Sequence, residues 1–207
     1  MGLRIRKKWD LLSEQAGALA ILAVCFLLGG AAGGVFVSLS SGAGAQELSS
    51  YLAGYLALAS EEGIPRSLWP VLWGQLKFSL AALVLGLTGL GVAGLPALFG
   101  VRGFLFTFSV ACFCRAFGGR GFFPAFLLFG LPALLWAPAL FLMGVSGFLS
   151  SQRQLRRSLG EGGRGESCLS GAYWSRSGLC VGLSLAAGLL EFWVVPVLLQ
   201  AAARVVL

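Results

Sequence analysis

The chain has 207 residues, 57% of them hydrophobic and only 11% charged. Disordered chains are poor in apolar residues, and a soluble enzyme cannot hide so much apolar surface in one domain's volume, so both classes are excluded. Fifteen basic and eight acidic residues give a net charge of +7, an excess that in a membrane protein sets orientation rather than nucleic-acid binding.

The expected fold is all-α, a polytopic integral membrane bundle of about five transmembrane helices. A spanning helix needs ~20 apolar residues at ~1.5 Å each to cross ~30 Å of hydrocarbon. Stretches between charges locate the candidates. Gln15–Gln46 runs 32 residues without a charge and places the first span near 17–39. Its length and Gly-rich end separate it from a signal-peptide core, although Ala31-Ala32-Gly33-Gly34 imitates a cleavage site.

An outer loop over 40–75 follows. It begins with a Ser/Gly/Ala run at Ser40–Ala45. Then Leu48, Tyr51, Leu52, Tyr55, Leu56 and Ala59 recur at helical spacing, which predicts a short amphipathic helix at the interface. Tyr51, Leu52, Tyr55 and Leu56 are the partner-docking candidates; packing of this face on the bundle is the alternative. Glu61-Glu62-Gly63-Ile64-Pro65 ends that helix, and Trp69 and Trp73 anchor the start of the second span.

Phe78–Val101 gives 24 uncharged residues and a second span near 78–99. Gly86, Gly89, Gly91 and Gly94 permit close helix approach there, and Gly94-Leu95-Pro96 is expected to bend or end the helix. Gly103–Cys114 gives only 12 residues, between Arg102 and Arg115. If both arginines snorkel toward headgroups, 99–117 becomes a usable third span; a re-entrant hairpin is the alternative. Gly121–Gln152 gives 32 residues and a fourth span near 122–149, carrying Pro124, Pro132 and Pro138 as expected kinks. A basic loop over 152–177, Gly- and Ser-rich around Gly160–Gly165, precedes a fifth span near 178–203.

The positive-inside rule sets the topology. Ten basic residues fall on the N-terminal side: Arg4, Arg6, Lys7, Lys8, Arg102, Arg153, Arg156, Arg157, Arg164 and Arg176. Five fall on the other: Arg66, Lys77, Arg115, Arg120 and Arg204. The chain is therefore expected to be multi-pass in the cell membrane, with its N-terminus cytoplasmic and its C-terminus outside.

Catalytic chemistry has little to work with. No histidine is present and Asp10 is the lone aspartate, which removes His-based triads, His metal sites and Asp dyads. Cys25, Cys112, Cys114, Cys168 and Cys180 show no Cys-x-x-Cys pairing and read as small apolar residues. No Walker A, Gly-x-Ser-x-Gly or metalloprotease signature occurs. No catalytic residue, cofactor or metal is expected. Glu191 is the sharper feature, a lone carboxylate splitting the last apolar stretch into 14 and 12 residues. An intramembrane ionisable group is functional by default unless paired. Arg115 and Arg120 are the expected partners, since the topology puts all three near the outer leaflet. A transport or signalling role, or exposure at the interface, is the alternative.

Several segments, in order, resemble the stage II sporulation protein M family, small multispan membrane proteins of endospore-forming bacteria. They are Leu76-Lys77-Phe78, Val92-Ala93-Gly94-Leu95-Pro96, Arg102-Gly103, Gly118-Gly119-Arg120-Gly121-Phe122-Phe123, Leu131-Pro132 with Pro138, Phe148-Leu149-Ser150, and Glu191-Phe192-Trp193-Val194-Val195-Pro196. The resemblance implies a non-enzymatic role in forespore engulfment, anchoring peptidoglycan hydrolases, a lytic transglycosylase and an amidase/endopeptidase, at the septal membrane. A small transporter or permease subunit using Glu191 and the outer-half arginines is the competing expectation.

Overall fold

The computed structural model describes residues 2–39, 68–118, 122–159 and 171–206. Among them every regular element is helical. The long helices are α1 (Gly2–Leu39), α2 (Leu68–Gly86), α3 (Gly91–Phe117), α4 (Leu131–Ser158) and α5 (Gly171–Val206). Among the described residues, five segments are long and apolar enough to cross a membrane: Ser13–Leu39, Leu68–Gly86, Gly91–Ala116, Leu128–Ser158 and Ser177–Val194. Leucine, valine and phenylalanine side chains remain exposed along them, as lipid-facing surfaces require. The chain thus has the architecture of a multi-pass membrane protein. The predicted outer-loop helix, with Tyr51, Leu52, Tyr55 and Leu56, lies outside the described residues, as does Arg120.

The second and third spans differ from expectation. The segment 78–99 is not one helix. A turn at 87–90 divides it, with the Thr88 amide donating to the Leu85 carbonyl and the Gly91 amide to the Thr88 carbonyl. Gly91 is needed there: a Cβ on it would lie 2.3 Å from the Leu85 carbonyl oxygen. Charge spacing misplaces both boundaries because the turn, Leu87-Thr88-Gly89-Leu90, has no charge, whereas the span that follows carries Arg102 in its interior. Span two therefore begins earlier, at Leu68, and span three is a full 26 residues, neither short nor re-entrant. Pro96 falls early in α3 and does not end it.

Pro132 has a different effect. Its ring nitrogen cannot donate into the helix, and the preceding turn widens to a π-helix at Phe126–Gly130. A single α-helical turn, Phe122–Ala125, precedes it.

Spans consecutive in the chain alternate in direction. α4 packs on each of the other four long helices. At its centre Phe99 is fully buried, edge-on to Phe141 with centroids 4.8 Å apart. Gly144 makes room for it, since a Cβ there would sit 2.5 Å from the Phe99 ring. α1 and α3 run parallel and touch backbone to backbone. A Cβ on Gly29 would lie 1.9 Å from the Gly100 oxygen, one on Gly33 2.5 Å from the Phe104 oxygen, and one on Gly103 2.1 Å from the Phe26 oxygen. In lipid, apolar burial gives no drive for helices to associate, so such close dispersion contact is what joins them. Trp69 and Trp73 stack at 6.2 Å, exposed on the first turns of α2, as interface anchors would be.

Candidate functional site: an internal Arg–Gln–Glu chain

Of the two arginines in the α3 span, Arg115 belongs to its last turn and Arg102 to its interior. At ~1.5 Å per residue it lies about 16 Å from the Gly91 end and about 22 Å from the Phe117 end, too deep for a snorkelling interfacial residue. The expected placement of Arg102 at the N-terminal-side interface is thus corrected.

Two rings and one amide hold the guanidinium. Its carbon lies 4.4 Å from the Phe78 ring centroid and 4.1 Å from that of Trp136, so the cation is between two aromatic groups. Nη2 donates to Gln75 Oε1 at 2.7 Å. Gln75 Nε2 in turn donates to Glu191 Oε2 at 2.8 Å. This amide orientation is the one that satisfies both neighbours, because a cation needs the carbonyl and a carboxylate needs the NH2. Gly188, a turn before Glu191, lets α5 approach: a Cβ there would meet Leu72 at 3.0 Å and the Gln75 side chain at 3.7 Å. Further along the same α2–α5 seam, Ser79 and Ser184 hydroxyls are 2.7 Å apart. Ser184 donates to the Cys180 carbonyl, which leaves Ser79 as donor to Ser184.

Glu191 is therefore paired, but not as expected. Among the described residues its partner is Gln75, and through it Arg102. Arg115 serves another purpose: its Nη1 donates to the Val37 carbonyl, and to that of Ser38 at 3.5 Å, covering the end of α1. A cation belongs there, because the last carbonyls of a helix lack partners and carry its negative pole. Parallel packing of α1 and α3 brings the two C-termini to one end of the bundle.

A cavity of about 160 Å³ adjoins the chain, with Gln75, Arg102, Ser109, Pro132, Trp136 and Glu191 on its wall. Arg102 Nε is buried and has no hydrogen-bond partner among the described residues. A polar cavity of this size accommodates water, which needs only ~10–15 Å³ of such volume per molecule.

Sequence reasoning missed Gln75 and the role of Arg102. Charge spacing places Gln75 at the end of the outer loop. The signal was a lone amide and a lone arginine each set in an apolar run. Their partnership required knowing which helices are neighbours. No family model, curated protein or solved structure was found to match the chain.

Proposed function

We propose that the chain is a non-enzymatic membrane scaffold of the stage II sporulation protein M kind. It holds peptidoglycan-degrading partners, a lytic transglycosylase and an amidase/endopeptidase, during forespore engulfment. Its N-terminus is cytoplasmic and its C-terminus outside, so the segment 40–67 faces the wall. The observation that carries the reading is the Arg102–Gln75–Glu191 chain: one amide bridges the two deep charges and ties α2, α3 and α5 together. Interlocked glycines fix α1 to α3 in the same way. Such use of intramembrane polar groups fits a rigid frame for docking.

Co-purification from sporulating cells tests it. The reading requires the hydrolases to come down with the wild-type protein. Tyr51→Ser with Tyr55→Ser should then abolish capture at normal membrane levels. Degradation of that variant would make the face structural, and unchanged capture would move the contact to the spans. Absence of hydrolases from the wild-type sample would remove the scaffold reading.

The cavity beside Arg102 favours a second reading, a small transporter or permease subunit. Solute flux into proteoliposomes that disappears in a folded Glu191→Gln variant would select it.

A further inference from the structure

A second polar hollow lies between α1 and α4, at the end of the bundle away from Arg115. Its volume is about 330 Å³. That falls in the ~300–1,000 Å³ range of small-ligand sites. Glu14 on α1 and Gln152, Arg153 and Arg156 on α4 form its rim, and Ala18 and Phe148 belong to its floor. Floor and rim differ sharply in character. Ala18 is 3% exposed and Phe148 4%, whereas both arginines are exposed.

Helical spacing explains the grouping. Residues three and four apart share a helix face, so Gln152, Arg153 and Arg156 present their donors together. Glu14 stands across the hollow, yet among the described residues no ion pair joins it to either arginine. Two guanidinium forks against one carboxylate leave a net positive rim. Planar forks match phosphate oxygens in pairs.

Position selects the source of that phosphate. Glu14 immediately precedes the uncharged run Gln15–Gln46, and Arg153 immediately follows the uncharged run Gly121–Gln152. Rim and arginines therefore stand where hydrocarbon gives way to headgroups, while the floor leads into hydrocarbon. No side-chain atom would crowd a Cβ added at Gly17, so the hollow is open on the α1 side. A free phosphate has no use for the apolar floor; a phospholipid does. Arg157 follows Arg156 on α4, so three arginines fall within 153–157, which favours an anionic over a zwitterionic lipid. A larger hollow of about 660 Å³, between α3 and α4, lacks this character: Phe106, Phe126, Leu134 and Pro138 are typical of its wall.

We propose that the α1–α4 crevice binds the phosphate of one anionic phospholipid. Arg153 and Arg156 grip the phosphate, Gln152 donates beside them, and Ala18 and Phe148 lie against the glycerol and upper acyl chain. This site is independent of the Arg102 chain and of the scaffold reading.

Native mass spectrometry of the full chain in neutral detergent tests it, with phosphatidylglycerol, phosphatidylcholine or inorganic phosphate added separately. One phosphatidylglycerol molecule should be retained in preference to phosphatidylcholine. Arg153→Gln with Arg156→Gln should weaken that retention by roughly 10- to 30-fold, the combined effect of two basic groups at a charged membrane surface. Arg153→Lys with Arg156→Lys should keep much of it, and Glu14→Gln should strengthen it. Arg115→Gln, at the other end, should leave it unchanged. Equal retention of the two lipids would overturn the proposal, as would undiminished retention in the double Gln variant. Displacement of phosphatidylglycerol by inorganic phosphate would overturn the lipid source. If the double Gln variant fails to fold, Glu14→Gln decides: failure to strengthen retention overturns the proposal.

Discussion

Gln75 separates Arg102 from Glu191, accepting from the guanidinium through Oε1 and donating to the carboxylate through Nε2. The two charges thus neutralise each other without touching, and the amide dipole aligns with both. α2 supplies the amide, α3 the cation and α5 the anion, so the contact exists only when three spans are assembled.

Removing one charge strands the other. Arg102→Leu and Glu191→Leu should each destabilise the bundle by about 3–5 kcal/mol, the usual penalty for an uncompensated buried ion. The double variant should lose much less than the sum. SDS-titrated unfolding in mixed micelles measures all three. Additive losses would mean that the charges are not coupled.

Gln75→Leu keeps the side-chain bulk and breaks both hydrogen bonds. A loss of about 2–3 kcal/mol is expected, since each bond involves a charged partner. Ser79→Ala, on the same seam but between neutral groups, should lose only about 1 kcal/mol. Equal losses in the same unfolding assay would deny the amide its bridging role.

Arg115 and Glu191 should be energetically independent. Arg115→Gln removes a cation from the α1 carbonyls, an effect of about 0.3–1 kcal/mol. A double-mutant cycle with Glu191→Gln should show coupling below about 0.5 kcal/mol, whereas Arg102 with Glu191 should exceed it. A large Arg115–Glu191 coupling would restore the pairing expected from sequence.

Glycine substitutions should separate by place. Gly29→Ala and Gly103→Ala drive a methyl into facing backbone and should each lose about 1–3 kcal/mol, as overpacking does. Gly178→Ala and Gly182→Ala meet open space and should be neutral or slightly stabilising. Thermal aggregation midpoints of the four variants in one detergent make the comparison.

Cysteine labelling tests orientation. Ser41→Cys should react from outside intact cells and Gly162→Cys only after permeabilisation. Reaction of the latter from outside would reverse the proposed topology.

The sequence by itself determined the solvent. Apolar mass and scarcity of charge demand a bilayer, and hydrophobic length pointed to about five spans, with the third open between a span and a re-entrant hairpin until the continuous helix α3 was seen. Glu191 was also legible, because a lone carboxylate in an apolar run is conspicuous in one dimension. Its partner was not. Charge spacing put Arg102 at a membrane boundary, since a charge normally marks one; here the boundary is the uncharged turn after Gly86, and the charge belongs to the interior. Only the tertiary structure decided that. An arginine is tolerated at depth when aromatic faces, an amide and a distant carboxylate converge on it, and Phe78, Trp136, Gln75 and Glu191 come from three different helices. Such convergence depends on which spans are neighbours, and the backbone contact of Gly29, Gly33 and Gly103 helps to set that arrangement.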